Sequence, residues 1–152
     1  MAPITISAQI DILASPALVR QVFMDFAGYS QWQQGWNIRP VESGKNPLDL
    51  QASDRLRVSM HGMTFHPSVV DNRPEHFIWD GSLYGLFTGR HTFDFAHNKN
   101  DPSTTTFVQR EEFWGPLTYL FRPFIRKDQP MENWATFNEA LKKECERRSH
   151  QA

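Results

Sequence analysis

Cysteine is almost missing from this chain. With Cys145 alone, no intrachain disulfide can form and no cysteine-cluster metal site can be built. Long hydrophobic runs are missing as well: uninterrupted apolar stretches reach only a few residues, against the ~20 needed to cross a bilayer, so stable membrane insertion is not expected. Nor does either sign of charge dominate. Sixteen Lys and Arg against seventeen Asp and Glu leave a net charge of -1, which gives no global footprint for nucleic acid or for an anionic membrane. The six histidines do not gather: His61 and His66 are separated across Gly62, His76 and His97 flank turns, and His150 lies near the end. No two share a helix face, so no metal site is expected. A Gly-rich phosphate loop, a nucleophile elbow and a dinucleotide fingerprint are all lacking, and no cofactor is expected. Met1 to Ala14 has neither a basic leader nor a continuous apolar segment, which reads as a cytoplasmic address. No feature sets an oligomeric state. A chain of 152 residues reads as one domain, residues 1–152, burying roughly 70% of its unfolded surface. Small-molecule chemistry is the class left standing.

Aromatics, by contrast, are abundant, with twelve Phe and five Trp. Many fall between Phe77 and Trp114, where apolar and polar residues alternate through three runs separated by two turn signals. The first is Tyr84-Gly85-Leu86 and the second is His97 to Pro102, so three consecutive antiparallel strands are expected. Pairing Leu83 with Phe87 sets Gly81 opposite Gly89 and Trp79 opposite His91. Pairing Phe95 with Phe107 sets Phe93 beside Gln109 and His91 beside Glu111. Trp79, His91 and Glu111 then form one row, with neighbours about 5 Å apart. The shared face holds Phe77, Trp79, Leu83, Phe87, His91, Phe93, Phe95, Phe107, Gln109, Glu111 and Phe113, while Asp80, Arg90, Asp94 and Arg110 face the other way. An aromatic face interrupted by His, Gln and Glu suggests a lined cavity whose polar groups orient a mostly apolar ligand.

The rest of the chain supplies a frame. Ile4 to Ile12 alternates as a half-buried strand. Ser15-Pro16 opens a helix with the stripe Val19, Val22, Phe23 and Phe26, which Gly28 ends, and Tyr29 to Trp32 reads as a second short turn capped by Ser30. Trp36 to Glu42, Arg55 to Met60 and Thr64 to Asp71 are further strands. After Gly115-Pro116 the period becomes helical. Asp128 can cap a helix from about Gln129 to Arg148, with Met131, Trp134, Phe137, Leu141 and Cys145 on one stripe. Arg122, Arg126 and Lys127 form a basic cluster before it. The expected fold class is α+β, with a seven-stranded curved antiparallel sheet, two short helices after the first strand, and a long C-terminal helix covering the sheet.

That order, together with Val22 to Phe26, Tyr29 to Trp32, Phe87 to Phe95 and the run from Phe107 to Leu117, resembles the START-like superfamily, which includes polyketide cyclase/dehydrase and lipid-transport domains. The resemblance spans nearly the whole chain. It implies a helix-grip fold, in which the sheet wraps the C-terminal helix and leaves an apolar cavity between them. It implies no catalytic residue, because the superfamily shares no catalytic motif and one fold serves many chemistries.

Candidate residues therefore rest on their own chemistry. A carboxylate beside an imidazole fixes its tautomer and raises its basicity, so His91 and Glu111 are the candidate acid/base pair, or else a buried structural pair. Gln109, one row over, offers a donor and an acceptor. Trp79, Phe93, Phe113, Met131, Trp134 and Phe137 would line the cavity, with Trp32 and Trp36 at its mouth, or the same rings form an aromatic core. Three readings follow: a carrier of a small hydrophobic, ring-containing molecule; a cofactor-independent cyclase, dehydratase or isomerase; and a protein-interaction domain with a closed cavity.

Overall fold

Strict alternation from Ile4 to Ile12 builds β1 (Ile4–Ile12), which buries Ile6 and Ile12. The computed structural model describes residues 4–60, 62–83, 86–118 and 128–151, with the backbone alone for Leu83 and for residues 128–132. Next comes α1 (Pro16–Met24). The Ser15 hydroxyl accepts the Leu18 N–H at 3.2 Å and Pro16 fills the first turn, two devices that satisfy or remove orphan donors at a helix start. Its buried side carries Val19, Val22, Phe23 and Met24.

The helix ends before Gly28. Asp25 caps it, and Phe26–Gln31 winds as a 3₁₀ helix with no side-chain cap at its start. Ser30 therefore lies inside this turn rather than capping one. Gly28 leaves room there for the Asp25 carboxylate, since a Cβ would come within 2.5 Å of Asp25 Oδ2 and that side chain would have to move aside. The buried Tyr29 hydroxyl donates to the Phe23 carbonyl at 2.6 Å, satisfying an acceptor stranded at the end of α1.

The remaining strands are β2 (Trp36–Pro40), β3 (Leu56–Met60), β4 (Met63–Phe65), β5 (Ser68–Asn72), β6 (His76–Leu83), β7 (Phe87–His97) and β8 (Thr105–Trp114), followed by α2 (Asp128–Gln151). The antiparallel strands form two sheets, ordered β1-β8-β7-β6-β5 and β2-β3-β4, so eight strands stand where seven are expected. The reason is Pro67. The stretch expected as one strand from Thr64 to Asp71 divides at His66-Pro67, because proline has no N–H for a ladder. The Pro67 carbonyl instead accepts the Leu56 N–H at 2.9 Å, and Val69 N–H donates to Asp54 at 2.7 Å. These bonds join the two sheets where β3 begins.

Helix α2 lies against β1 and α1. Trp134, Phe137, Leu141 and Cys145 are buried, as their stripe demands. Lys142 Nζ donates to the Asp11 carbonyl at 2.9 Å, and Glu146 accepts the Leu13 N–H at 2.9 Å, tying the helix to the end of β1. Phe23 is the pin of the core: its ring lies 4.6 Å from Phe93, 5.5 Å from Phe95, 5.9 Å from Phe107 and 6.1 Å from Phe137. It touches sheet and helix at once. Among the described residues no helix is long and apolar enough to cross a membrane. The basic residues Arg122, Arg126 and Lys127 lie outside the described residues, as do Tyr84 and Gly85.

Removing the Tyr29 hydroxyl leaves the Phe23 carbonyl buried without that partner, which costs about 1–2 kcal/mol. Tyr29→Phe is expected to lower the unfolding free energy by that amount, seen as a lower urea midpoint with the denaturant slope unaltered.

Candidate functional site

Alternation in β6, β7 and β8 carries chemistry only if the register is right, and the expected register is the one found. Leu83 pairs with Phe87, Gly81 with Gly89, and Trp79 with His91. His91 pairs with Glu111, Phe93 with Gln109, and Phe95 with Phe107. On β1, Ile6 stands opposite Glu111 and Ala8 opposite Gln109. On the outer face Arg90 grips Asp80 through two hydrogen bonds of 2.7 and 2.9 Å, and Arg110 reaches Asp94 at 3.3 Å. The charged and aromatic residues are thus sorted to opposite sides, as period-two geometry requires.

His91 sits in an aromatic box. Its ring stacks on Phe93 at 4.1 Å, lies 4.9 Å from Trp134 and meets Trp79 edge-on at 5.3 Å. The imidazole is 2% exposed. Its Nε2 bonds Gln109 Oε1 at 2.9 Å, and Gln109 Nε2 in turn donates to Asn138 Oδ1 of α2 at 2.7 Å. On the other side, Nδ1 faces Glu111 Oε2 at 3.8 Å, beyond direct hydrogen-bond length. A line of polar groups therefore runs from Glu111 through His91 and Gln109 to Asn138, across the sheet-to-helix interface.

Burial reverses the expected direction of proton affinity. It drives the His91 imidazole down to about 3, against the raising influence of the Gln109 hydrogen bond. Burial also pushes the Glu111 carboxyl up to about 7. Near neutrality His91 is neutral and Glu111 is the group that titrates. The carboxylate does not make the imidazole a stronger base here, because desolvation of both charged forms outweighs their attraction at 3.8 Å.

One end of this face carries little side-chain volume of its own. Gly81 and Gly89 face each other across β6 and β7 and contribute no side chains. A Cβ on Gly81 would meet only Phe65, at 3.9 Å, whereas one on Gly89 would meet Glu111 Oε1 at 3.0 Å and the Phe113 ring at 3.2 Å. Glu111 and Phe113 lean over the second glycine, and Phe65 stands at van der Waals distance from the first. The Glu111 side chain keeps 25% of its surface accessible, and Phe65, Phe87 and Phe113 are each half-buried. Phe113 stacks on Phe87 at 5.4 Å.

The expected lining residues divide into two groups. Trp79, Phe93, Trp36, Trp134 and Phe137 are all buried. Phe93 and Phe137 pack on Phe23, and Trp36 stacks on Phe137 at 3.8 Å, so Trp36 lies within the core and not at a mouth. Its indole Nε1 is buried without a hydrogen-bond partner. Half-buried Trp32 lies 5.6 Å from Phe137 and 5.0 Å from Tyr29. Phe113 shares the row of Gly81 and Gly89, and Glu111 shares the adjoining row with His91 and Trp79. Met131 lies on α2, and its side chain is outside the described residues. One residue escapes the sequence reading, Asn138, although its position, four after Trp134 on the buried stripe, is a signal: a polar residue where the helix pattern calls for an apolar one. The Gly81 and Gly89 pair follows from the expected register, but not its place beside Glu111.

Comparison with known proteins places this geometry. A family model described as polyketide cyclase / dehydrase and lipid transport matches residues 3–148. Among solved structures, an aromatase/cyclase from a Streptomyces species aligns with a TM-score of 0.67 at 15% identity, covering 97% of this chain and 96% of that one. A START superfamily protein from Mycobacterium smegmatis aligns at 0.61 and 15% identity, over 94% and 97% of the two chains. A hypothetical protein from Helicobacter pylori aligns at 0.70 and 13% identity, over 93% and 88%. At such identities the shared feature is the fold. A search of curated proteins finds no match to this chain.

The raised Glu111 value fixes a pH signature. Its proton affinity is higher folded than unfolded, where the value is near 4.5. Its contribution to stability is therefore fully present below pH 4.5 and lost as pH rises through about 7. Glu111→Gln removes that loss. The variant is expected to match the parent near pH 4 and to exceed it by about 1–2 kcal/mol near pH 8, after discounting for the accessible part of the side chain. Urea unfolding at the two pH values measures the difference.

Proposed function

We propose that this chain, which belongs to the polyketide cyclase / dehydrase and lipid transport family, binds a small apolar, ring-containing molecule in a hollow beside Gly81. The observation that carries the reading is the paired glycines. Two facing residues without side chains interrupt an aromatic face beside the one partly accessible carboxyl on it, and apolar walls around a single polar group are the usual make-up of a small-molecule site. Phe65, Phe87 and Phe113 supply flat apolar walls, and Glu111 supplies one hydrogen-bonding point that would orient the ligand. Buried Trp36, Phe93 and Phe137 act as the floor that keeps the hollow in shape, rather than as contact residues.

A second reading, acid/base catalysis on the bound ring, is favoured by one specific observation: Glu111 is pushed up to about 7, where a general acid or base works best at neutral pH. In this reading Glu111, not His91, exchanges the proton with the ligand, and His91 stays neutral beside it.

Filling the hollow separates ligand binding from stability. Gly81→Val adds a branched side chain where the only neighbour of a Cβ is 3.9 Å away and where a β-branched residue suits a strand. It is expected to weaken binding of an uncharged solvatochromic naphthalene dye at least about tenfold, or about 1.4 kcal/mol, while the melting temperature holds or rises. Unchanged dye affinity in a folded Gly81→Val protein would sink the reading. Native mass spectrometry of freshly purified protein should show a stoichiometric apolar adduct in the parent and none in the variant. Conversion of that adduct on incubation, abolished by Glu111→Gln with the adduct still bound, would select the catalytic reading.

A further inference from the structure

A carboxamide accepts at one end and donates at the other, so the polar line across the sheet-to-helix interface has a direction. Asn138 Oδ1 takes the Gln109 Nε2–H at 2.7 Å, which leaves Gln109 Oε1 against His91 Nε2 at 2.9 Å. A carbonyl oxygen can only accept, so the His91 proton sits on Nε2. A neutral imidazole has one N–H. Its Nδ1 therefore carries the lone pair, and Nδ1 is the atom that faces Glu111 Oε2 at 3.8 Å.

We propose that Gln109 and Asn138 are positioning residues that hold His91 as the Nε2–H tautomer, and so turn a lone pair rather than an N–H toward Glu111. A carboxyl group facing a lone pair is favoured as the neutral acid; one facing an N–H is favoured as the carboxylate. The groups around Glu111 among the described residues leave His91 to decide the matter. Ile6 on β1 and Phe113 on β8 are apolar, Gly89 on β7 has no side chain, and α2 brings Trp134 and Asn138 to the His91 network. Arg90 and Arg110 are engaged with Asp80 and Asp94 on the opposite face. Helix α2 thereby acts on the protonation of a group on β8 through His91 and Gln109. If the ligand reading above holds, the Glu111 proton sits on Oε2 toward His91 Nδ1, and the ligand meets the carbonyl oxygen Oε1 on the Gly89 side, an acceptor suited to a hydroxyl on a ring, in preference to a carboxylate suited to an ammonium group.

The tautomer is read directly by nitrogen-resolved NMR of the His91 ring in the free protein, alongside a carbon-detected titration of the Glu111 carboxyl. The expected result is a protonated Nε2 and bare Nδ1 in the parent at pH values below the Glu111 midpoint. Gln109→Leu removes the acceptor and should move the proton to Nδ1, lowering the Glu111 midpoint by about one unit. Asn138→Asp keeps an acceptor oxygen and should retain the parent tautomer. A protonated Nδ1 in the parent overturns the proposal, as does a Gln109→Leu protein with tautomer and midpoint unchanged. The parent spectrum decides between the tautomers even where a variant fails to fold, and it needs no ligand, so loss of dye binding and loss of this wiring are separate outcomes.

Discussion

The register of β6, β7 and β8 is the constraint on which everything else in this molecule depends. A slip of one residue would turn Arg90, Asp94 and Arg110 inward and expel His91, Phe93 and Gln109. Several forces oppose such a slip. The Arg90 to Asp80 fork and the Arg110 to Asp94 pair form only in the native pairing, each modest at the surface. The stronger opposition comes from inside the sheet. Phe93, Phe77 and Phe107 lose all or nearly all of their exposure, and burying such a ring fully is favourable by roughly 1.5–3 kcal/mol. The aromatic payload holds the strands in place, and the polar row travels with it.

Placing a polar chain inside that payload is costly unless each link is satisfied, and here the links are closed by a residue from another element. Asn138 completes Gln109, and Gln109 completes His91. A helix rotated by one position would bring Asn138 away and leave a buried amide unpaired, at a cost of about 1–3 kcal/mol. The same hydrogen bonds that accommodate His91 thus specify how α2 sits on the sheet. Apolar stripes tolerate sliding better than a donor and acceptor at 2.7 Å do, which is why a buried polar network can fix one packing among several of similar area.

Much of this was legible in the residues themselves. Alternation and two turn signals suffice to place Trp79, His91 and Glu111 in one row, because side-chain direction in a strand depends on parity alone. The stripe of Trp134, Phe137, Leu141 and Cys145 gave α2 its buried side for the same kind of reason. What escaped was set by tertiary contact. The break of β4 from β5 at Pro67 depends on where β3 lies to receive the freed carbonyl. The 3₁₀ turn at Phe26–Gln31 depends on Asp25 packing over Gly28. The reversal of proton affinity at His91 and Glu111 depends on how completely Phe93, Trp134 and Trp79 exclude water, a property of packed rings that no spacing records. Asn138 was visible as an exception on its stripe, but its partner, far away on β8, was not.

Glu111 is the residue that least suits a purely structural account. A neutral amide is accommodated one row away at Gln109, fully buried and bonded on both sides. By the same chemistry a glutamine at position 111 would fit without the cost of desolvating a carboxylate. Among the described residues the only ionisable group that faces the carboxyl is His91, at 3.8 Å, and His91 stays neutral. An acid buried beside a neutral imidazole makes the fold less stable at neutral pH than it need be. The ligand reading accounts for that cost, because a group that gives or takes a proton is left partly unsatisfied until a ligand satisfies it. The aromatic box supplies the rigidity that lets it remain so. Phe93, Trp79 and Trp134 fix the imidazole, the imidazole fixes what Glu111 faces, and in the proposed ligand reading the bound molecule is the partner that the carboxyl lacks.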